Sequence, residues 1–378
     1  MPTPRHYLDH AATTPMRQSA VDAWVEHAGA MNPGGQYTSG RAARRVLDDA
    51  RDLIAGLLGA DPAEVIFTAS GTEADNLAVT GLYRASDRAR VVSTPIEHPA
   101  VLGPVKALGL SGAEVELLPV GSDGRVADLG ALDIPAAVAC CMWANNETGA
   151  LQPIDRVIER ASGAGTPVHV DAVQVVGHLP VDFHALGATT LAASAHKFGG
   201  PRSAGLLLAK RSPAPLPVLH GGGQERGIRP GTLDVASAAA MAAALEEAVG
   251  EIPSEAVRLA ALRERLREGI LGRVGDVLVH TTEPALPGHL HLSFPGAEGD
   301  SLIMLLDAAG IEASTGSACA SGVNRASHVL LAQGVSEHDT RGAVRFTLGR
   351  TTTVGDVEAV LGVIAEVVER ARLAGMAG

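Results

Sequence analysis

The sequence predicts an α/β fold around a mostly parallel sheet, followed by a smaller α+β unit. Three observations carry that expectation. Through about residue 233, short apolar runs bounded by turn signals alternate with amphipathic stretches. Beyond that point the alternation weakens into long helical stretches and a mixture of strands and helices. The 378 residues are 46% hydrophobic but only 3% aromatic, enough for a sizeable core that must be aliphatic and finely packed.

In chain order, "EVIFT" (64–68) reads as a buried strand and "EADNLAVTGLYRA" as the helix after it. "RVVST" (90–94) is a strand and "HPAVLGPVKALG" a helix. "EVELLPV" (114–120) and "AAVACCMW" (136–143) are strands, the second followed by the helix "IDRVIERASGAG". "PVHVD" (167–171) is a strand ending on an acid, and "TTLAASAHK" and "AGLLLAK" form a strand pair around a Gly-rich turn. "DVASAAAMAAALEEAVGEI" and "SEAVRLAALRERLREGILGRV" read as two helices joined near Pro253. Strands "DVLVH" and "HLHLSF", the helix "GDSLIMLLDAAG", a short helix near "SHVLLAQG", the strand "AVRFTLG" and a terminal helix complete the chain.

The formal charge of −12 argues against nonspecific nucleic-acid binding, which needs a basic surface. No run of about 18 apolar residues predicts a membrane span, and "MPTPRHYLDHAATTP" lacks an apolar signal core. Three cysteines do not make a disulfide framework, so a reducing cytoplasm is expected.

In such sheets, ligands bind at the carboxyl ends of the strands, so polar residues just past them matter most. Lys197 in "SAHKFGG" is either a solvated strand end or an amine that forms a Schiff base with a carbonyl cofactor. A pyridoxal phosphate (PLP) site also needs a carboxylate for the pyridinium nitrogen, phosphate donors and a stacking group. Asp171 in "HVDAVQ" meets the first need, with Gln174 following. "TASGTEADN" opens a helix whose amides, with the Thr72 hydroxyl, suit a phosphate; read without a ligand, Thr72 is a helix cap. His98 in "STPIEHPAV" is a surface histidine or a group that stacks and carries protons. Cys319 stands alone among small residues in "STGSACASG", where a thiol has no core to pack. Cys140 and Cys141 lie in an apolar strand and read as packing residues. His289 and His291 alternate on a strand without a Cys or acid cluster, so they read as sheet residues and no metal is expected.

The motifs "YLDHAATTP", "SGTEADNLAV", "IEHPAV", "NNETGALQPI", "HVDAVQ", "SAHKFGGP", "HGGGQERGIRPGT", "STGSACAS" and "RFTLGR", in this order over about residues 7–350, resemble the PLP-dependent cysteine desulfurases of aminotransferase class V. The loop resembles the "SGSAC" group associated with iron–sulfur assembly and tRNA thiolation. The resemblance implies a type I PLP-dependent transferase fold with a seven-stranded large domain (residues 15–250) and a small domain (1–14 and 251–378) that carries the Cys319 loop. It implies that Lys197 holds PLP, Asp171 pairs with the ring nitrogen, Gln174 with the ring oxygen, and His98 stacks and shuttles protons. Gly71, Thr72, Ser194 and His196 would bind the phosphate, and Thr232 would reach the phosphate of the neighbouring subunit of a homodimer. Asn146, also at the cofactor, and Arg345 would hold the substrate carboxylate, with Asn32 beside them. L-Cysteine would become L-alanine, leaving a persulfide on Cys319 for a sulfur-acceptor protein. Selenocysteine lyase, another class V aminotransferase or lyase, and a non-catalytic sulfur-transfer scaffold are the alternatives. The chain departs from the family at Ala195, usually Gly, at "GGQYTSGR" after Asn32-Pro33, and at "VNRASHVL".

Overall fold

A computed structural model describes residues 5–316 and 326–375. Seven strands form its main sheet: β1 (Val65–Thr68), β2 (Arg90–Ser93), β3 (Glu114–Leu117), β4 (Val138–Cys140), β5 (Val168–Asp171), β6 (Thr190–Ser194) and β7 (Gly205–Ala209). Their spatial order is β1-β7-β6-β5-β4-β2-β3. Only β7 runs against the rest, antiparallel to both β1 and β6. The carboxyl ends of the other six strands therefore share one edge.

Period-two alternation buries both faces of this sheet. Val65, Phe67, Leu206 and Leu208 point to one side, where the helices Thr38–Leu57, Ile154–Gly163 and Val235–Leu271 pack. Ile66 and Leu207 point to the other, against the helix Gly71–Arg84, and Val91 and Val138 meet the helix Pro99–Leu110 there. The result is a three-layer sandwich. β3 is its exposed edge.

A second core gathers Leu8, Leu259, Leu266, Leu290, Phe346 and Ile364. It rests on a three-stranded antiparallel sheet in which β9 (His289–Ser293) is flanked by β8 (Leu278–Val279) and β10 (Ala343–Thr347). The start of the chain joins this unit, because His6–Tyr7 pairs in parallel with Ile311–Glu312.

The structure corrects the sequence reading around Pro253. Instead of two helices there is one of 37 residues, Val235–Leu271, with Pro253 inside it. A proline in a helix interior costs about 3 kcal/mol. Packing overrides it: Met241 and Leu245 are fixed in the first core, and Leu259, Leu262 and Leu266 in the second. Ser254 steadies the turn by donating its hydroxyl to the Glu251 carbonyl at 3.0 Å. Two further helices, Gln18–His27 and Thr38–Leu57, precede the first strand, in a stretch the sequence reading leaves without elements.

Candidate active site

A cavity of about 480 Å³ opens at the carboxyl edge of the main sheet. It gathers Gly71, Thr72, His98, Asn146, Asp171, Gln174, Ser194, His196, Lys197 and Arg345, all of them singled out by the sequence. The reason is topological. β5 ends on Asp171, β6 ends on Ser194 and turns directly into Lys197, and the turn after β1 opens the helix at Gly71.

The amine of Lys197 donates to the Ala11 carbonyl and, at 3.0 Å, to that of Ala12. Burial first, then the Arg345 charge, pushes it down to about 8. It is therefore largely neutral in mild alkali, as a nucleophile must be. Asp171 accepts from the Val173 amide at 2.9 Å. Burial pushes its carboxyl up to about 6, opposed by that hydrogen bond and by Lys197. Gln174 donates Nε2 to the Ala11 carbonyl at 3.0 Å, so residues near the start of the chain brace both side chains.

The phosphate-like end of the cavity is a helix N-terminus. Ser70, not Thr72, caps it, accepting the Glu73 amide on its Oγ at 3.1 Å. Thr72 lines the cavity. A Cβ on Gly71 would lie 2.8 Å from Val173 Cγ2 and 3.3 Å from Ser194 Cβ, so the turn admits only glycine without movement. His196 lies 3.2 Å from Thr13 Oγ1 through Nδ1, and burial lowers it to about 4.

His98 caps the helix Pro99–Leu110, its Nδ1 accepting the Ala100 amide at 3.1 Å. Burial, aided by the charges of Lys197 and His328, lowers it to about 4. The neutral ring thus carries its proton on Nε2. The neighbouring Glu97 is fully buried and pushed up to about 8 by burial. It accepts from Thr94 Oγ1 at 2.7 Å and from the Met142 amide at 2.8 Å, pinning the His98 turn to the end of β4. Arg345, on β10, donates Nη1 to the Asn146 carbonyl and Nη2 to Asp9 Oδ1, both at 2.6 Å.

Asn32 and Thr232 do not join this cavity; they line a separate one of about 520 Å³ with Arg51 and Glu225. Cys319 lies outside the described residues. Ser314 and Gly316, five and three residues ahead of it, line the active cavity. Cys140, the last residue of β4, and Cys141 just past it are buried in packed clusters on opposite faces of the sheet, their thiols raised well above the usual range by burial. His289 and His291 are buried in the small sheet. Among the described residues one His-acid trio is close enough for an ion, Asp61, Glu64 and His184, and Glu64 Oε2 is already engaged by His184 Nε2 at 2.7 Å. The sequence reading gave no site role to Asp9, Glu97 or Asp75, although all three stand in quoted motifs, because no local pattern shows which distant side chains such acids will meet.

This donor set fits pyridoxal phosphate. A helix N-terminus with no room for a side chain is flanked by two hydroxyls, an acid ends a central strand, and a half-buried lysine of lowered basicity follows the next strand.

The family description "Aminotransferase class-V" matches residues 6–360. An "IscS-like cysteine desulfurase" of Mycobacterium tuberculosis is 47% identical over 98% of each chain. A "Cysteine desulfurase IscS" of Dictyoglomus turgidum is 38% identical, covering 97% of this chain and 95% of its own. Among solved structures, a "NIFS-LIKE PROTEIN" superposes with a TM-score of 0.90 at 32% identity, over 97% of this chain and 100% of the other. "SspA in complex with cysteine" does so with a TM-score of 0.79 at 28% identity, over 91% and 98%.

Proposed function

Because the chain belongs to aminotransferase class V, among its cysteine desulfurases, we propose that it takes sulfur from L-cysteine, releases L-alanine and passes the sulfur on from a persulfide at Cys319. The observation that carries this reading is the meeting of Lys197, Asp171 and the Gly71 helix terminus in one cavity, beside the residues that lead to Cys319. Class V enzymes depend on pyridoxal 5′-phosphate, which when bound supplies an electron sink that loosens the substrate's Cα–H and C–S bonds.

The chain's own residues do the rest. Lys197 would hold the cofactor's carbonyl carbon, and its amine would take the substrate Cα proton. Asp171 would keep a proton on the ring nitrogen, and Gln174 would serve the ring oxygen. The Gly71 amide, Thr72, Ser194 and His196 receive the phosphate at the positive end of their helix. Asn146 and Arg345 would bind the substrate carboxylate; Asn32 and Thr232, which line a separate cavity, would reach only the site of a second copy in a homodimer, Thr232 at its phosphate. His98 moves the proton at the substrate sulfur through Nε2. The Cys319 thiolate attacks that sulfur. As the S–S bond forms, the C–S bond breaks; its electron pair stays with carbon, which takes up a proton and becomes alanine.

The sulfur then goes to an acceptor protein, a scaffold or a thio-modifying enzyme, in the cytoplasm. Among the described residues no helix is long and apolar enough to cross a membrane. Two separate hydrophobic cores support a large domain over residues 15–250 and a small one over 1–14 and 251–378.

Cys319→Ala is expected to keep the cofactor's colour while alanine production falls at least ~100-fold. Labelled cysteine should leave a trappable persulfide on the wild type alone. Full alanine production by the variant would overturn the persulfide step.

A further inference from the structure

Asp75 is a buried carboxyl that the reaction above does not use. It lies in the second turn of the helix Gly71–Arg84, is 1% exposed and lines the cavity with Asp171. Its Oδ1 is 3.1 Å from Nε2 of His169, and Nδ1 of His169 is 2.9 Å from Oγ1 of Thr190. His169 and Thr190 have no exposure at all.

This chain of contacts joins the three elements that hold the cofactor. Thr72 is three residues before Asp75 in the same helix. His169 is two residues before Asp171 on β5, so the two side chains leave one face. Thr190 opens β6, stands opposite His169 in register, and belongs to the strand that runs to Ser194 and on to Lys197. Backbone pairing already holds β5 to β6. No strand pairing holds the helix to either, so a polar side-chain contact that fixes its height above the sheet bears directly on the phosphate end.

We propose that Asp75 is a positioning residue: as hydrogen-bond donor to His169, it sets the phosphate-end helix in register with Asp171 and Lys197. The inference rests on the reading of this cavity as a pyridoxal phosphate site. The donor role follows from what surrounds the carboxyl. Asp171 on β5 and Glu97 in the turn before the helix Pro99–Leu110 face it as acids, and several carboxylates in one dry space do not all ionise. Burial raises Asp75 well above the carboxylate range and lowers His169 to about 3. With the acid protonated and the ring neutral, Asp75 donates to Nε2, and Nδ1–H donates to Thr190.

The test is titration of the apo protein with pyridoxal phosphate, reading affinity and the pH midpoint of the bound cofactor's visible band. Asp75→Asn, whose amide can donate in the same place, should bind within ~3-fold of the wild type with its midpoint unmoved. Asp75→Leu should bind ~10-fold or more weakly, with a shifted midpoint. Wild-type behaviour of Asp75→Leu overturns the positioning role, and an Asp75→Asn as weak as Asp75→Leu overturns the donor role. If Asp75→Leu does not fold, Thr190→Val decides: a shifted midpoint with weaker binding supports the relay, and unchanged values overturn it. A wild type that takes up no pyridoxal phosphate overturns the cofactor reading itself, and this inference with it.

Discussion

Lys197 illustrates how burial prepares a residue at a cost to the fold. Its amine is lowered to about 8 against an ordinary value of 10.5, chiefly by burial. Between those values the unfolded chain binds a proton that the folded chain does not. Stability of the cofactor-free protein therefore rises with pH across that window, by at most about 1.4 kcal/mol per unit from this group. Tyr7, raised to about 12, works in the opposite sense above its ordinary value of 10.0, and the raised thiols of Cys140 and Cys141 do so above about 9, so the Lys197 contribution is read as a difference between wild type and variant. Chemical denaturation from about pH 8 to 10 should show the stability difference between wild type and Lys197→Met shifting in favour of the wild type as pH rises; a pH-independent difference would refute the lowered amine. Residues such as Lys197 and Asp171 were legible in the sequence because a charged residue at the end of an apolar run marks a strand's carboxyl end. Asp9 was not, because its partner Arg345 is 336 residues away. Cys319 was legible from its small neighbours, although it lies outside the described residues.

Among the elements, the turn between β1 and its helix is braced from behind by β7. A Cβ on Gly205 would lie 2.5 Å from the carbonyl carbon of Ser70 and 2.9 Å from the Gly71 amide nitrogen. These are backbone atoms and cannot swing aside. Gly205→Ala should displace the phosphate-end turn and weaken pyridoxal phosphate binding ~10-fold or more, with ~1–3 kcal/mol lost in denaturant titrations. Unchanged binding would mean that the turn has slack. The strands were readable because their apolar runs are short and clearly bounded. The helix Thr38–Leu57 was not read: its buried stripe is Ala43, Leu47, Ala50 and Ile54, too thin in large apolar residues to stand out. Pro253 misled for the opposite reason. Its local preference is strong, yet the cores at both ends of the helix outweigh it.

Across the whole molecule, Arg17 ties the active-site turn to the long helix that enters both cores. Its Nη1 and Nη2 meet Glu247 at 2.6 Å and Glu251 at 2.8 Å, and its Nε donates to the Phe198 carbonyl at 3.0 Å. The guanidinium is buried while the two acids are about 40% exposed, so solvent screens part of the attraction. Arg17→Met should cost ~1–3 kcal/mol, read as a lowered denaturation midpoint, and should weaken cofactor retention through the residue after Lys197. The overall α/β plan and the second unit were legible from the alternation and its fading. The long tie between them was not, because no local pattern records which distant residues an arginine will reach.

The opening segment has a consequence for the birth of the protein. Leu8 and His10 are held by backbone bonds to Glu312 and Thr347, and Ala11 and Ala12 then offer their carbonyls to Lys197. On the ribosome Leu8 and His10 must wait for the far later segments around Glu312 and Thr347 before they find their place. The large sheet can assemble earlier, but the lysine's seat closes only once the segments at Glu312 and Thr347 have emerged. A nascent chain is thereby kept from completing its reactive amine's surroundings until the small sheet's last strand is there to hold them.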